Sequence, residues 1–397
     1  MPAFGRSLLS EFPLDPSITY LNHGTVGVTP RRVLAAQQAI RDEIERQPSR
    51  FLLRELTAPA TSVGLPRAET PRLRIAAGQV ASFLGGRGDD VVFVDNATAG
   101  ANAVLRSFPF EPGDEILLTD LGYGGVVNAA RFAARERGAT VRTAVMPYPF
   151  RGADIADAIV EAAGPRTRIA IVDHITADSA LVLPVAQIAA RLRARGVATL
   201  VDGAHAPGAI ALDIGALGVD WYVGNLHKWM WVPRSSGILW AAPEQQASIN
   251  PPVISWGLDQ GFATTFDMPG TRDPSPHLAA PAAIALFEAW GAEAVRGYNR
   301  TLALEAARLL TAAWDTTFET PADMIGTMVT VTLPAVLGST RDDALRLRDL
   351  LLFEDAIEVP VHAYRDRLRA RISAQVYNDL TDIERLADAV RRRAGMA

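Results

Sequence analysis

Asp202 and Lys228 are the residues whose types and spacing most directly suggest chemistry in this 397-residue chain. Asp202 ends the apolar run VATLVD. Lys228 follows a second run, DWYVG, and a short polar turn holding Asn225 and His227. A carboxylate at the end of an apolar run is poorly solvated and needs a cationic partner, because burying it unpaired is costly. A downstream amine can capture an aldehyde as a Schiff base. Pyridoxal 5'-phosphate needs both: an acid that holds its pyridine nitrogen protonated and a lysine for its aldehyde. Lys228 is the only lysine in a chain that otherwise uses arginine. The competing readings are a helix cap or arginine ion pair for Asp202, and a snorkelling surface side chain for Lys228.

Other candidates follow the ends of neighbouring apolar runs. Asn96-Ala97-Thr98 comes after DDVVFV and before a predicted helix, where free amides and the Thr98 hydroxyl can hold a phosphate; an ordinary N-cap explains Asn96 almost as well. Tyr123, beyond EILLT, is placed to stack on a cofactor ring, with a surface tyrosine as the alternative. His174 and Thr176 follow TRIAIVD, and Thr176 is expected to bond the ring's phenolic oxygen. His205, three residues past Asp202, is expected to orient that acid or approach the ring; both histidines also fit a core role. Arg371 in RISAQVYN offers a guanidinium suited to clamping a substrate carboxylate, but on residue type alone it competes with Arg365, Arg367 and Arg369.

These positions need a scaffold. The runs 89–94, 115–119, 140–146, 167–173, 197–202 and 220–224 have strand character, and most are separated by helical stretches with arginine on one face and alanine or leucine on the other. That alternation predicts an α/β domain with a mostly parallel sheet and helices on both faces. In such a sheet ligands sit beyond the carboxyl ends of the strands, where Asp173, Asp202 and the Asn96 step fall. SGILWA, 236–241, follows its predecessor too closely for a crossover helix and is expected to be antiparallel or rearranged. After about Pro281 a long alanine-rich helix, further strands and a last helix predict a smaller α+β domain. The expected divisions are 1–40, an N-terminal segment packing with the small domain and the site, 41–285, and 286–397.

Composition excludes several classes. The net charge of −5 and the scattered arginines carry no nucleic-acid footprint. No apolar run is long enough for a membrane span and the first residues do not resemble an export signal, so a cytoplasmic protein is expected. Cysteine is absent, which removes disulfides, thiolate metal sites and thiol nucleophiles. No HExxH, HxxxH, GxSxG or GxGxxG occurs, so no metal site is expected.

In order and spacing, the segments ITYLNHGTVGVTPRRVL, QPSRFLLRE, VDNATAG, DLGYGGVVN, VDHITADSALVLPV, VDGAHAPG, GNLHKW, MPGTRD and RISAQVYN resemble the class V aminotransferase family of fold type I pyridoxal-phosphate enzymes, and most closely its isopenicillin N epimerase-like branch. The resemblance implies that Lys228 carries the cofactor, Asp202 pairs with its pyridine nitrogen, His205 lies by the ring and Tyr123 stacks. It implies that Ala97, Thr98, Asn225 and His227 bind phosphate, and that Thr271 reaches the phosphate of a neighbouring subunit in a homodimer with interfacial sites. Arg371 would bind the substrate carboxylate near the Asn22-His23-Gly24 turn, with Arg50 and Phe51 at the entrance and His174 near the substrate. The chain departs from the family at Ala177, where relatives carry an asparagine beside the phenolic oxygen. Cysteine-desulfurase chemistry is excluded by the missing thiol. The implied substrate is an amino acid or amino-acid-containing molecule reacting at Cα. Epimerisation or racemisation is the leading expectation; C–S β-elimination on an S-substituted cysteine and transamination are the enzymatic alternatives, and an inactive binding module the non-enzymatic one.

Overall fold

The computed structural model describes residues 2–57 and 70–396. Near the N-terminus lies a two-residue strand, β1 (Thr19–Tyr20). The chain then builds β2 (Val91–Val94), β3 (Glu115–Thr119), β4 (Thr140–Ala144), β5 (Thr167–Asp173), β6 (Ala198–Gly203), β7 (Trp221–Asn225) and β8 (Gly237–Ala241). These last seven form one sheet in the order β2-β8-β7-β6-β5-β3-β4. Every pairing is parallel except those of β8, which runs antiparallel to both neighbours. The reason is the one expected from its sequence: the link from β7 is too short for a crossover helix.

Strands β2, β3, β7 and β8 are buried along their whole length. Two apolar clusters, one per sheet face, cover them and leave no solvated side to enforce polar alternation. The outer strand β4 is mostly exposed, and Arg142 on it pairs with Glu115 at 2.9 Å. Charge on an edge strand discourages pairing with another chain. The winding reverses between β3 and β5, so their carboxyl ends open the crevice in which such sheets bind ligands.

The alanine-rich segment after Pro281 is two helices, not the single one its sequence suggests. Ala280–Ala289 and Ala292–Trp314 are separated at Gly291, whose φ of 84° suits glycine, and the axis turns by 74°. The second helix and Leu380–Ala394 pack on an antiparallel sheet, β11-β12-β9, made of β9 (Met328–Thr332), β11 (Val361–Tyr364) and β12 (Arg367–Ser373). The short strand β10 (Ile357–Glu358) pairs in parallel with β1, and Asn22 bridges to Ser373. The N-terminal segment is thereby stitched to the strand that carries Arg371. No single helix among the described residues is long and apolar enough to cross a membrane.

Gly203 closes β6 against the buried Tyr222 ring, whose hydroxyl bonds His174 Nδ1 at 2.9 Å. A methyl group at Gly203 would overlap that ring. Overpacking costs about 1–3 kcal/mol and a lost hydrogen bond about 1 more. Gly203→Ala is therefore expected to lower stability by about 2–4 kcal/mol in urea unfolding; an unshifted midpoint would contradict this packing.

Candidate active site

A cavity of about 430 Å³ opens at the carboxyl ends of β2, β3, β5, β6 and β7. It gathers Ala97, Thr98, Tyr123, Asp202, His205, Asn225, His227 and Lys228, all proposed from sequence, together with Thr25, Asp173, Ala177 and Arg234. Its base is Asp202, 3% exposed. Oδ1 accepts the Ala204 amide at 3.0 Å, whereas Oδ2 is buried with no partner among the described residues. Burial raises this carboxyl, opposed by the Ala204 amide and by Lys228. A buried acceptor left open is costly unless a donor arrives from within the cavity.

Lys228 is held at both ends. Its carbonyl accepts His23 Nε2–H at 3.0 Å; His23 Nδ1 therefore accepts the Tyr377 hydroxyl at 2.9 Å. Burial depresses His23 to about 3, in keeping with a neutral ring. The Lys228 amine lies 3.1 Å from His205 Nε2. His205 Nδ1 faces Trp229 Nε1–H at 3.5 Å, which places the ring's one proton on Nε2 and makes the amine the acceptor. A neutral amine fits its surroundings: burial, then the Arg371 charge, lower Lys228 to about 7, with Asp202 opposing. Trp229, Met230 and Trp231 after the lysine are all buried, and Trp231 packs on Phe287 and Trp290 at 4.8 and 5.1 Å. These contacts fix the loop on which the lysine is mounted.

At the other end, Asn96 caps the helix Ala97–Ser107 by accepting the Ala99 amide at 2.9 Å, so the ordinary N-cap reading of Asn96 holds. Asn225 Oδ1 accepts the Ala97 amide at 2.8 Å and thereby braces β7 to the helix. Thr98 follows on the cavity wall. His227 Nδ1–H donates to the Ser236 carbonyl at 2.9 Å; burial lowers the ring to about 4, so Nε2 keeps a lone pair. A phosphate there would favour uptake of a proton by His227. Arg234 adds a cation at the rim, donating to the Val26 and Gly27 carbonyls at 3.3 and 2.7 Å. Together, a helix start, Thr98, His227 and Arg234 at one end and the open acid at the other fit a phosphorylated pyridine. Among the described residues no cluster could hold a metal ion.

Several proposed residues do not line this cavity. Thr176 is not on the cavity wall: its hydroxyl pairs with Ser179 Oγ at 2.7 Å and accepts the Leu181 amide at 2.8 Å, locking the turn after β5. His23 is fully buried and holds the backbone of Lys228, and Gly24 packs where a Cβ would lie 2.7 Å from Met328 Sδ. His174 turns to Tyr222, and burial lowers it to about 4. Arg50 pairs with Glu55 at 2.6 Å on a different surface hollow, while Phe51 is buried under Arg72. Thr271 lines a second hollow beside Trp256. Of the arginines on β12 and its turn, Arg371 is the one that bonds residues of the cavity wall among the described residues. Its Nη atoms donate to Ala177 O, Thr25 Oγ1 and Asn22 Oδ1 at 2.6, 2.6 and 3.2 Å, and its Nε is buried without a partner. Burial lowers it to about 10. It is a cation among neutral oxygens, two of them from residues that line the same cavity. Asp173, noticed at the sheet edge but given no role, faces Asp202 across the strand register. Thr25, inside ITYLNHGTVGVTPRRVL, and Arg234, shortly after GNLHKW, carry no sequence signal of their own.

Residues 65–386 match the family described as Aminotransferase class-V. The isopenicillin N epimerase of Streptomyces clavuligerus is 34% identical over 98% of this chain and 96% of its own. The putative L-cysteine desulfhydrase 1 of Oryza sativa subsp. japonica is 31% identical over 95% of this chain and 83% of its own. Among solved structures, a C-DES variant with glycine covalently linked to its PLP cofactor superposes with a TM-score of 0.78 at 23% identity, covering 98% and 99% of the two chains. The chain belongs to the class V aminotransferase family and has the fold type I architecture.

Because Lys228 is the only lysine, acylation of its amine can be followed by peptide mass spectrometry. In protein freed of cofactor, its reactivity is expected to rise through about pH 7 as the amine loses its proton. A rise only near pH 10, the range of an ordinary lysine, would show that the cavity does not hold the amine neutral.

Proposed function

We propose that this protein is an epimerase or racemase acting at the Cα of an amino acid or amino-acid-containing substrate. It is a pyridoxal-phosphate-dependent enzyme, as its family membership and fold neighbours indicate. The observation that carries the Cα assignment is that Lys228 Nζ shares one cavity with an Asp202 carboxyl whose Oδ2 has no partner among the described residues, while Arg371 bonds Thr25 and Ala177 on the wall of that cavity. The preference for epimerisation rests on the similarity to isopenicillin N epimerase along nearly the full length of both chains.

When bound, the cofactor supplies an electron sink that makes the Cα proton removable. Asp202 Oδ2 would hold the pyridine nitrogen. Thr98 at the start of Ala97–Ser107 and His227 would hold the phosphate, and Tyr123, half-exposed on the cavity wall, would cover the ring. Arg371 would take the substrate carboxylate, giving up neutral acceptors for a charged one, and so set which Cα bond faces the sink. Lys228 Nζ would then remove the Cα proton, with the His205 Nε2–H that faces it holding the amine in place. Protonation from the opposite face would complete inversion, and Tyr123 is the proposed group there.

C–S β-elimination is the second reading, favoured by the similarity to the rice desulfhydrase. It uses the same base and clamp, and with no cysteine in the chain the sulfur must leave as a free thiol. A homodimer with interfacial sites is also proposed. Val253, Ile254 and Trp256, the last 72% exposed, form an apolar surface beside Thr271 that a second copy would bury. A holoprotein that sediments as a monomer would remove that part.

The test is incubation of holoprotein with a panel of amino acids in deuterated water. Cα deuteration with loss of stereochemistry is expected, and it should vanish in Lys228→Ala. Pyruvate and free thiol from S-substituted cysteines would instead establish the second reading, and strict dependence on an added keto acid would refute both. Arg371→Ala is expected to raise KM about ten- to hundredfold, the loss of one or two charge-assisted hydrogen bonds. An unchanged KM would remove the carboxylate clamp.

A further inference from the structure

Asp173 and Asp202 end adjacent parallel strands and are register partners, so their side chains leave the sheet edge on the same side. Both line the same cavity, and they are only 4% and 3% exposed. Two carboxylates so placed cannot both ionise unless two positive charges meet them. The proposed cofactor brings one, on the pyridine nitrogen.

The surroundings decide which acid carries the negative charge. Asp202 has the Ala204 amide on Oδ1, and its Oδ2 is the oxygen that would meet the pyridine nitrogen. Asp173 has no side-chain donor among the described residues. It faces Asp202 from β6 and Asp178 from the turn after β5, both of which favour its protonated form, against the pull of the Tyr123 backbone from the loop after β3 and of its own backbone amide. Tyr222 on β7 commits its hydroxyl to His174, and His205 is turned to Lys228 and Trp229. Burial raises both acids, and it raises Asp173 well above the usual carboxylate range.

We propose that Asp173 is a positioning residue that keeps its proton in the holoprotein and serves as a neutral hydrogen-bond donor beside an ionised Asp202. It thereby limits the negative charge at the base of the cavity to one, matched to one pyridinium. The inference rests on the cofactor reading above and deepens it.

The experiment compares wild type, Asp173→Ala, Asp173→Asn and Asp202→Asn. The cofactor-free proteins are titrated with pyridoxal phosphate, and infrared difference spectra are taken on the holoproteins at neutral pH. Asp173→Ala is expected to weaken cofactor binding about tenfold and Asp173→Asn to restore it to within about threefold, because an amide also donates without charge. Asp202→Asn should weaken it more than tenfold, having lost the counter-charge. The wild-type-minus-Asp173→Asn spectrum should show the carbonyl stretch of a protonated carboxyl. That subtraction cancels Asp267, which lies against Arg74 and which burial raises to about 6. A structural role alone would not produce this band. Its absence, or failure of asparagine to restore binding, overturns the proposal while leaving the cofactor reading intact. Wild-type protein that takes up no pyridoxal phosphate would overturn both.

Discussion

A buried carboxyl with one open oxygen governs the architecture of this site. Asp202 is placed by the last hydrogen-bonded turn of a central strand, where the backbone cannot move without disturbing β5 on one side and β7 on the other. Leaving Oδ2 without a donor is unfavourable in isolation, so the fold holds in place a feature that only a ligand can satisfy. The neighbouring features reinforce this. Gly203 gives Tyr222 room, Tyr222 engages His174, and the His174 amide donates to the Asp202 carbonyl at 2.8 Å. Position is secured by backbone and aromatic packing, while the reactive oxygen stays free.

The lysine is treated in the opposite way, with nearly every neighbour committed. His23 grips its carbonyl and His205 its amine, and the tryptophans that follow anchor the loop in the core. Both histidines are driven to their neutral forms by burial, so each can donate only one ring proton, and the direction of each hydrogen bond is fixed. A neutral imidazole donating to the amine and a nearby arginine both disfavour an ammonium. Asp202 opposes them without prevailing. The result is a nucleophilic amine near neutral pH, obtained from surroundings and not from the side chain itself.

Arg371 completes the electrostatic pattern. A guanidinium buried among carbonyl, hydroxyl and amide oxygens retains its charge but has no ion-pair partner in contact among the described residues. Its placement depends on the stitching of β1 and Asn22 to the small sheet, so the N-terminal segment contributes to the site through Asn22 and Thr25 as acceptors. The acid at one side of the cavity lacks a cation and the arginine at the other lacks an anion. An amino acid joined to a pyridinium cofactor supplies both.

The mostly parallel character of the sheet, the departure at β8, and the placing of Asp202 and Lys228 at one sheet edge were legible in the sequence. They follow from local causes: the length of apolar runs, the shortness of one connection, and the high cost of burying a charge. Arg371 was distinguishable from Arg365, Arg367 and Arg369 only by resemblance, because alternation on a strand says which residues share a face and not which face meets the cavity. Thr176, His23 and His174 carry side chains suited to ligands, yet each found a protein partner first. That competition is settled by rotamers and by segments far away in sequence, such as Tyr377 for His23. The asymmetry between Asp173 and Asp202 is of the same kind. Composition and pattern determine that acids and an amine stand at one sheet edge; only the tertiary structure decides which of them is paired, because pairing depends on distances of a few ångströms between strands that are remote along the chain.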